Sequence, residues 1–387
     1  MEARLLGQIK PFIVMEVLER ANELQKQGVD IIHMEVGEPD FDVPECVKAA
    51  CEAGIRSGYT HYTHSLGDPE LREAISRHYK NTYGVSVKPE QILVTSGTSP
   101  GILLALSVLL NAGDEVILSD PGYACYANFV TYAGGKPVTV PVEATNGFQY
   151  TPEGICGKLT ERTKAILINS PMNPTGNLLT PETMKAIAQY SPYIISDEIY
   201  HGLVYGEKAH SILEFTDKAF VLNGFSKLYA MTGLRLGYLI APEKYMRHLQ
   251  ILQQNLFICA NSVAQRAGIA ALEKGGPDIE RMRLTYDRRR KFLIQRLREL
   301  GFTIPVEPTG AFYIFVDASH LSNDSYKLAF DMLEKAHIGV TPGIDFGANG
   351  EGYLRFSYAN SLENLEEGMR RLENYLQNFN GLDSGDK

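Results

Sequence analysis

The chain has 387 residues, 44% of them hydrophobic: enough for two domains, or one large domain with a smaller lobe, and too apolar for a disordered chain. Its net charge of −9, with acidic and basic residues interspersed, argues against nucleic acid or an anionic membrane as a partner. Cys46, Cys51, Cys125, Cys156 and Cys259 form no Cys-x-x-Cys pair, no apolar run reaches the roughly 18 residues of a membrane span, and Met1-Glu2-Ala3-Arg4 opens no signal peptide, so a cytoplasmic location with free thiols is expected.

Val14, Val17, Leu18, Ala21 and Leu24 recur at helical spacing, and Gly28 stops the pattern. Ile31 to Val36 reads as a strand that runs into a loop, Gly37-Glu38-Pro39-Asp40-Phe41. Asp42 and Glu45 bracket Pro44 in an N-cap arrangement, so a helix starts there. Asp68-Pro69-Glu70 opens another helix, with Leu71, Ala74, Ile75 and Tyr79 on one face. Strands follow at Gln91–Thr95, Glu115–Ser119, Lys164–Asn169, Tyr193–Ser196 and Ala219–Leu222. Their alternation with helical stretches predicts an α/β fold, a mostly parallel sheet with helices on both faces. After Glu243 come long helices, including Arg281 to Leu300. The pattern then changes to strands at Ala311–Val316 and Gly352–Ala359, with helices near 323–336 and 362–378, which predicts a smaller α+β domain. The residues from Gly381 onward read as a frayed tail.

In open parallel sheets, ligands bind beyond the carboxyl ends of the strands. Four such ends carry polar residues: Ser96-Gly97-Thr98, Asn173, Asp197 and Lys227. A phosphate-type loop, an amide, a carboxylate and a lysine at four matching positions describe one site.

The stretch Gly224-Phe225-Ser226-Lys227, with Arg235-Leu236-Gly237 eight residues further on, resembles the lysine signature of the class I/II aminotransferases. These are pyridoxal-phosphate enzymes of the aspartate aminotransferase fold (fold type I), and other segments match in the same order across nearly the whole chain. The resemblance implies a large cofactor-binding domain at 45–285 and a discontinuous small domain made of 1–44 and 286–387. It implies pyridoxal 5′-phosphate as cofactor. It also implies transfer of the amino group of an L-amino acid to a 2-oxo acid, with 2-oxoglutarate expected, by a ping-pong mechanism.

Residue by residue, the resemblance implies that Lys227 carries the cofactor and moves protons, with Asp197, in Ser196-Asp197-Glu198-Ile199-Tyr200, as the partner of the ring nitrogen. Glu198 is the tempting alternative and is assigned no chemistry. Tyr200 and Asn173 would donate to the ring oxygen, and Tyr123 would stack on the ring. Ser96, Gly97, Thr98, Ser226 and Arg235 would hold the phosphate, through N–H groups, hydroxyls and a fixed cation. Gly224 stands where many relatives have a serine, and Pro100 is unexpected beside that loop. Arg355, in Tyr353-Leu354-Arg355-Phe356-Ser357, would grip the substrate α-carboxylate with both guanidinium nitrogens, helped by Gly37 and Asn173. Tyr62 matches a tyrosine that reaches the phosphate of the neighbouring subunit, which implies a homodimer with shared active sites. His61 and His64 suggest a metal only weakly, and none is expected.

Three alternatives bear on function. A β-lyase on the same fold would use every residue named. A pyridoxal-phosphate-binding transcription regulator needs a DNA-binding domain, for which there is no room before Gly37. A NAD-dependent oxidoreductase is disfavoured because no Gly-x-Gly-x-x-Gly follows a strand. The lysine that helps some bacterial aspartate aminotransferases of this branch hold a second carboxylate is absent near Ser99, which weighs against strict dicarboxylate specificity.

Overall fold

A computed structural model of the chain describes residues 6–382; the tail expected from Gly381 lies outside the described residues beyond Leu382. Twelve strands are described: β1 (Ile32–His33), β2 (Ile92–Thr95), β3 (Glu115–Asp120), β4 (Lys136–Pro141), β5 (Thr163–Asn169), β6 (Tyr193–Asp197), β7 (Ala219–Gly224), β8 (Gly237–Ile240), β9 (Tyr313–Asp317), β10 (Ile338–Gly339), β11 (Thr341–Pro342) and β12 (Tyr353–Ser357). Seven form one sheet in the order β2-β8-β7-β6-β5-β3-β4. Only β8 runs against the others, pairing antiparallel with both β2 and β7. The expected mostly parallel sheet is therefore present, and the carboxyl ends of β2, β3, β5, β6 and β7 share one edge.

Successive strand residues face opposite sides. Ile92, Val94, Ile166, Ile168, Ile194 and Val221 enter the core on one side. Leu93, Leu118, Ala165, Leu167, Ile195 and Phe220 enter the core on the other. With both faces covered, the central strands are apolar without alternation. The edge strand β4 is half exposed, which is why Lys136-Pro137-Val138-Thr139-Val140-Pro141 does not read as a strand.

A third core joins the antiparallel sheet β11-β12-β9, the parallel pair β1-β10 and the last helix, Leu362–Gln377. The helix Gly276–Glu299 runs unbroken across residue 285, so a boundary placed there falls inside a helix.

The first helices follow the sequence closely. Helix α1 spans Ile13–Lys26 and buries Val14, Val17, Ala21 and Leu24. Its N-terminus is capped from far along the chain, by Asp345, whose carboxylate accepts from Ile13 N at 2.9 Å and Val14 N at 3.2 Å. Helix α2 is Glu45–Arg56, but the expected capping by Asp42 and Glu45 is absent: Pro44 occupies the N-cap and no side chain bonds the first turn. Asp42 is exposed and lies 3.5 Å from Lys48 Nζ instead. Helix α3, Pro69–Tyr83, is capped by Asp68, which accepts from Glu70 N at 2.9 Å. Helix α4 spans Thr98–Leu109.

The strand expected at Ile31–Val36 shrinks to two residues. The reason is visible at Glu35, whose carbonyl accepts from Arg355 Nη2 at 2.5 Å and Thr341 Oγ1 at 3.0 Å and so is withdrawn from any ladder. Among the described residues, no helix is long and apolar enough to cross a membrane.

Candidate active site

The carboxyl edge of the large sheet opens into a cavity of about 290 Å³, lined in part by Thr98, Tyr123, Asn173, Asp197, Lys227 and Arg355. Lys227 follows the end of β7 at Gly224, past Phe225 and Ser226. Its Nζ donates to Gly37 O at 2.5 Å. Burial lowers the amine to about 8; Glu38 opposes that shift, and the cations of Arg355 and Arg235 reinforce it. An amine held there is neutral far more often at pH 7 than an ordinary lysine, as a nucleophile or base requires. The loop that supplies Gly37 is pinned at two points. Arg289 forks onto Asp40 with two bonds of 2.8 Å, and Thr232 Oγ1 donates to Glu38 at 2.5 Å.

Asp197 ends β6 with its carboxylate in the cavity wall. Oδ2 accepts from Tyr126 OH at 2.8 Å and Oδ1 from Ile199 N at 3.1 Å. Burial raises this carboxyl to about 6, against the pull of those two donors and of Lys227. Asn169, the last residue of β5, braces the same strand end: its Nδ2 donates to Asp197 O at 3.0 Å and its Oδ1 accepts from Asn173 N at 2.8 Å. Tyr200 lies in the turn after Asp197, its OH 2.8 Å from Tyr313 OH.

The loop between β2 and α4 sits against Arg235. Gly97 has φ +84°, and a Cβ there would lie 2.5 Å from Arg235 Nη2. Only glycine lets the guanidinium and the first turn of α4 come together. Gly237 has the same function from the other side, because a Cβ would stand 2.7 Å from the Gly97 carbonyl carbon. Gly224 is explained too: a Cβ would meet Gly237 Cα and Leu236 O at 3.0 Å. Arg235 itself holds φ 51°. Thr98, Ser99 and Ser226 join Arg235 in lining this end of the cavity.

Arg355 projects from β12 on the smaller sheet and is buried. Its Nη1 donates to Asn173 Oδ1 at 2.8 Å, and its guanidinium lies over the Tyr313 ring, 4.3 Å from the centroid. Its Nε is buried without a hydrogen-bond partner among the described residues. Gly37 again has a packing reason: a Cβ would fall 2.0 Å from Tyr313 OH.

Of the residues expected from the sequence, Gly37, Thr98, Tyr123, Asn173, Asp197, Tyr200, Ser226, Lys227, Arg235 and Arg355 all line this cavity. Ser96 and Gly97 are not among the residues lining it. Tyr62 is 84% exposed and lies away from the cavity of its own chain. His64 Nδ1 accepts from Leu66 N at 3.2 Å. Tyr126, Asn169 and Tyr313 are not expected at the site from the sequence; neither are Phe12, Val14 and Met15, which line the cavity from the N-terminal segment. Tyr126 follows Tyr123 by three residues, a spacing that brings both tyrosines to one place and was the available signal.

An amine, a carboxylate beneath it and a helix N-terminus beside an arginine define a site for an anionic, carbonyl-bearing aromatic cofactor. The orphaned Nε of Arg355 and the glycine cradle at Gly97 fit pyridoxal phosphate together with a carboxylate substrate. The chain belongs to the aminotransferase class I and II family, which matches residues 29–372. It is a pyridoxal-phosphate-dependent transaminase.

It is 41% identical to (5-formylfuran-3-yl)methyl phosphate transaminase of Methanocaldococcus jannaschii, over 96% of this chain and 98% of that one. It is 40% identical to aspartate aminotransferase of Pyrococcus horikoshii, over 95% of each. Among solved structures it resembles aspartate aminotransferase of Thermus thermophilus with maleate, with a TM-score of 0.93 and 36% identity over 97% of this chain and 99% of that one.

Proposed function

We propose that the enzyme transfers the amino group of an L-amino acid to a 2-oxo acid, 2-oxoglutarate foremost, with both bound in turn at Arg355. One observation carries this assignment of roles: Lys227, Asp197, Arg235 and Arg355 line a single cavity. When bound, pyridoxal phosphate supplies the electron sink. Lys227 holds it and then, as a free amine, shuttles a proton at the substrate α-carbon. Asp197 keeps the ring nitrogen protonated, Tyr200 and Asn173 bond the ring oxygen, and Tyr123 covers the ring face. Ser96, Gly97, Thr98, Ser226 and Arg235 take the phosphate, and Gly37 and Asn173 assist Arg355.

Arg355 belongs to the proposed small domain, residues 1–44 with 286–387, and Lys227 to the proposed large domain, 45–285. Substrate binding would therefore draw the two together. An amino donor without acceptor should bleach the holoenzyme absorbance in one stoichiometric step and then stop, and 2-oxoglutarate should restore it. Continuous release of ammonia and pyruvate from a cystathionine-like substrate, with no such bleaching by any common amino acid, would instead assign a lyase.

We also propose a cytoplasmic homodimer with shared active sites. Support for the dimer comes from Tyr62, Ile251, Leu256 and Ile258, large apolar side chains left exposed on adjoining segments. Gln250 Nε2 donates to Ser65 Oγ at 3.1 Å and so holds these segments side by side. Five free thiols, with Cys156 exposed, support a reducing compartment. Exchanging subunits between Tyr62→Phe and Lys227→Ala should put both defects into one site and leave the other intact. Activity should then rise above that of either impaired parent. No rise after demonstrated exchange would keep Tyr62 within its own subunit or outside the site.

A further inference from the structure

Directly after Asp197 the chain sends a second carboxyl away from the cavity. Glu198 is fully buried. Its Oε1 accepts from Ser196 Oγ at 3.1 Å, Ser211 Oγ at 3.1 Å and Ile212 N at 3.0 Å. Its backbone closes the same turn, with N donating to Leu222 O at 2.8 Å and O accepting from His201 N at 2.9 Å. One side chain thus ties the end of β6, the 211–212 segment and the turn bearing Asp197 and Tyr200 into one unit.

Its other oxygen is different. Oε2 has no hydrogen-bond partner among the described residues. It faces His201 Nδ1 at 3.6 Å, and that nitrogen already pairs with Tyr83 OH at 2.7 Å.

The titratable groups around Glu198 are Asp197 on β6, His201 in the turn, Tyr79 and Tyr83 on α3, and Tyr238 on β8. Further out, Glu214 acts on Tyr83, and His78 and His210 act on His201. None of the near groups supplies a positive charge. Burial drives His201 down to about 3, so it is neutral. An ionised Glu198 would be a buried anion with one bare oxygen, next to the anion of Asp197.

We propose that Glu198 is a positioning residue that works as a neutral acid: its Oε1 fixes the Asp197–Tyr200 turn through three donors, and its retained proton leaves Asp197 as the single anion at that point. The proposal rests on the roles given above to Asp197 and Tyr200. Burial, with Asp197 adding to it, raises the carboxyl to about 8 against the pull of the Ile212, Ser211 and Ser196 donors, which keeps the proton through the neutral range.

The test compares wild-type holoenzyme with Glu198→Gln and Glu198→Ala from pH 5 to 9.5. Glutamine keeps the acceptor oxygen and the neutral charge. It should retain turnover within a few-fold at pH 7. The wild type should then show a fall in kcat/KM through about pH 8 that Glu198→Gln lacks or shifts. Alanine leaves the three donors bare and should cost about tenfold or more at every pH, because small displacements of reacting groups are expensive.

A second readout needs no turnover. A carboxyl raised in the folded state contributes stability that is full below its unfolded value of 4.5 and lost as pH rises through about 8. Wild-type Tm should therefore fall relative to Glu198→Gln over that window. Superimposable Tm and kcat/KM profiles, or a Glu198→Gln enzyme as impaired as Glu198→Ala, would overturn the proposal. If no amino acid is turned over, the amino-transfer roles fail, while the Tm comparison still decides the state of Glu198.

Discussion

Replacing Lys227 with alanine should reduce amino transfer at least ~10⁴-fold, since in the proposed roles it removes both the covalent anchor of the cofactor and the proton carrier. The protein should still fold, because the Lys227 side chain contributes one hydrogen bond, to Gly37 O, and one ring contact, over Phe312 at 5.9 Å, at a cavity wall. It should still hold pyridoxal phosphate, more weakly, through the other residues lining the cavity. Borohydride treatment of wild-type holoenzyme should fix the cofactor to the peptide bearing Lys227 and to no other lysine. The lowered amine has a kinetic signature as well. Only the neutral form attacks a carbonyl, so attachment of cofactor to apoprotein should speed up as pH rises and level off above about 8. At pH 7 the neutral fraction exceeds that of an ordinary lysine at 10.5 by roughly 300-fold. Label recovered on a different lysine would remove the central assignment.

The parts of the site that sequence made legible are those that depend on local chain. A parallel strand delivers whatever follows it to one edge, so Ser96-Gly97-Thr98, Asn173, Asp197 and Lys227 declared themselves by position. Their supports come from far away. Tyr126 meets Asp197 across 71 residues, and Arg355 finds Glu35 O across 320. No periodicity carries such pairings. Local rules also misled where tertiary contacts won. The capping pattern at Asp42 and Glu45 lost to Pro44, and the strand at Ile31–Val36 was cut short when Arg355 and Thr341 took the carbonyl of Glu35. Helix α1 shows the reverse: no local cap is present, because Asp345 provides one. Asp197 and Glu198 are chemically alike and adjacent; Asp197 ends β6 at the cavity, while Glu198, just past the strand, is held in the core by Ser196, Ser211 and Ile212.

Asp197→Asn should lower turnover by ~10²-fold or more, equivalent to at least about 2.7 kcal/mol at the transition state. Asparagine can keep its single acceptor oxygen on Ile199 N and donate from its amide nitrogen to the Tyr126 hydroxyl oxygen, so the fold and much of the cofactor should remain. What it removes is the negative charge proposed to hold the ring nitrogen protonated. The pH dependence separates charge from shape. The Asp197 carboxyl is raised by burial to about 6 in the protein without cofactor. Only its ionised form pairs with a protonated ring nitrogen, so wild-type affinity for pyridoxal phosphate should weaken as pH falls through about 6, and that of Asp197→Asn should not. The apoprotein should show the opposite trend in stability. A raised carboxyl contributes stability that is complete below its unfolded value of 3.8 and lost as pH rises through about 6. The Tm of cofactor-free Asp197→Asn should therefore gain on that of wild type across this window, while the loaded variant falls behind in turnover. Stability gained where function is lost marks a group whose burial serves the reaction. Turnover within a few-fold of wild type, with flat binding profiles for both proteins, would leave Asp197 as a capping residue of the turn after β6.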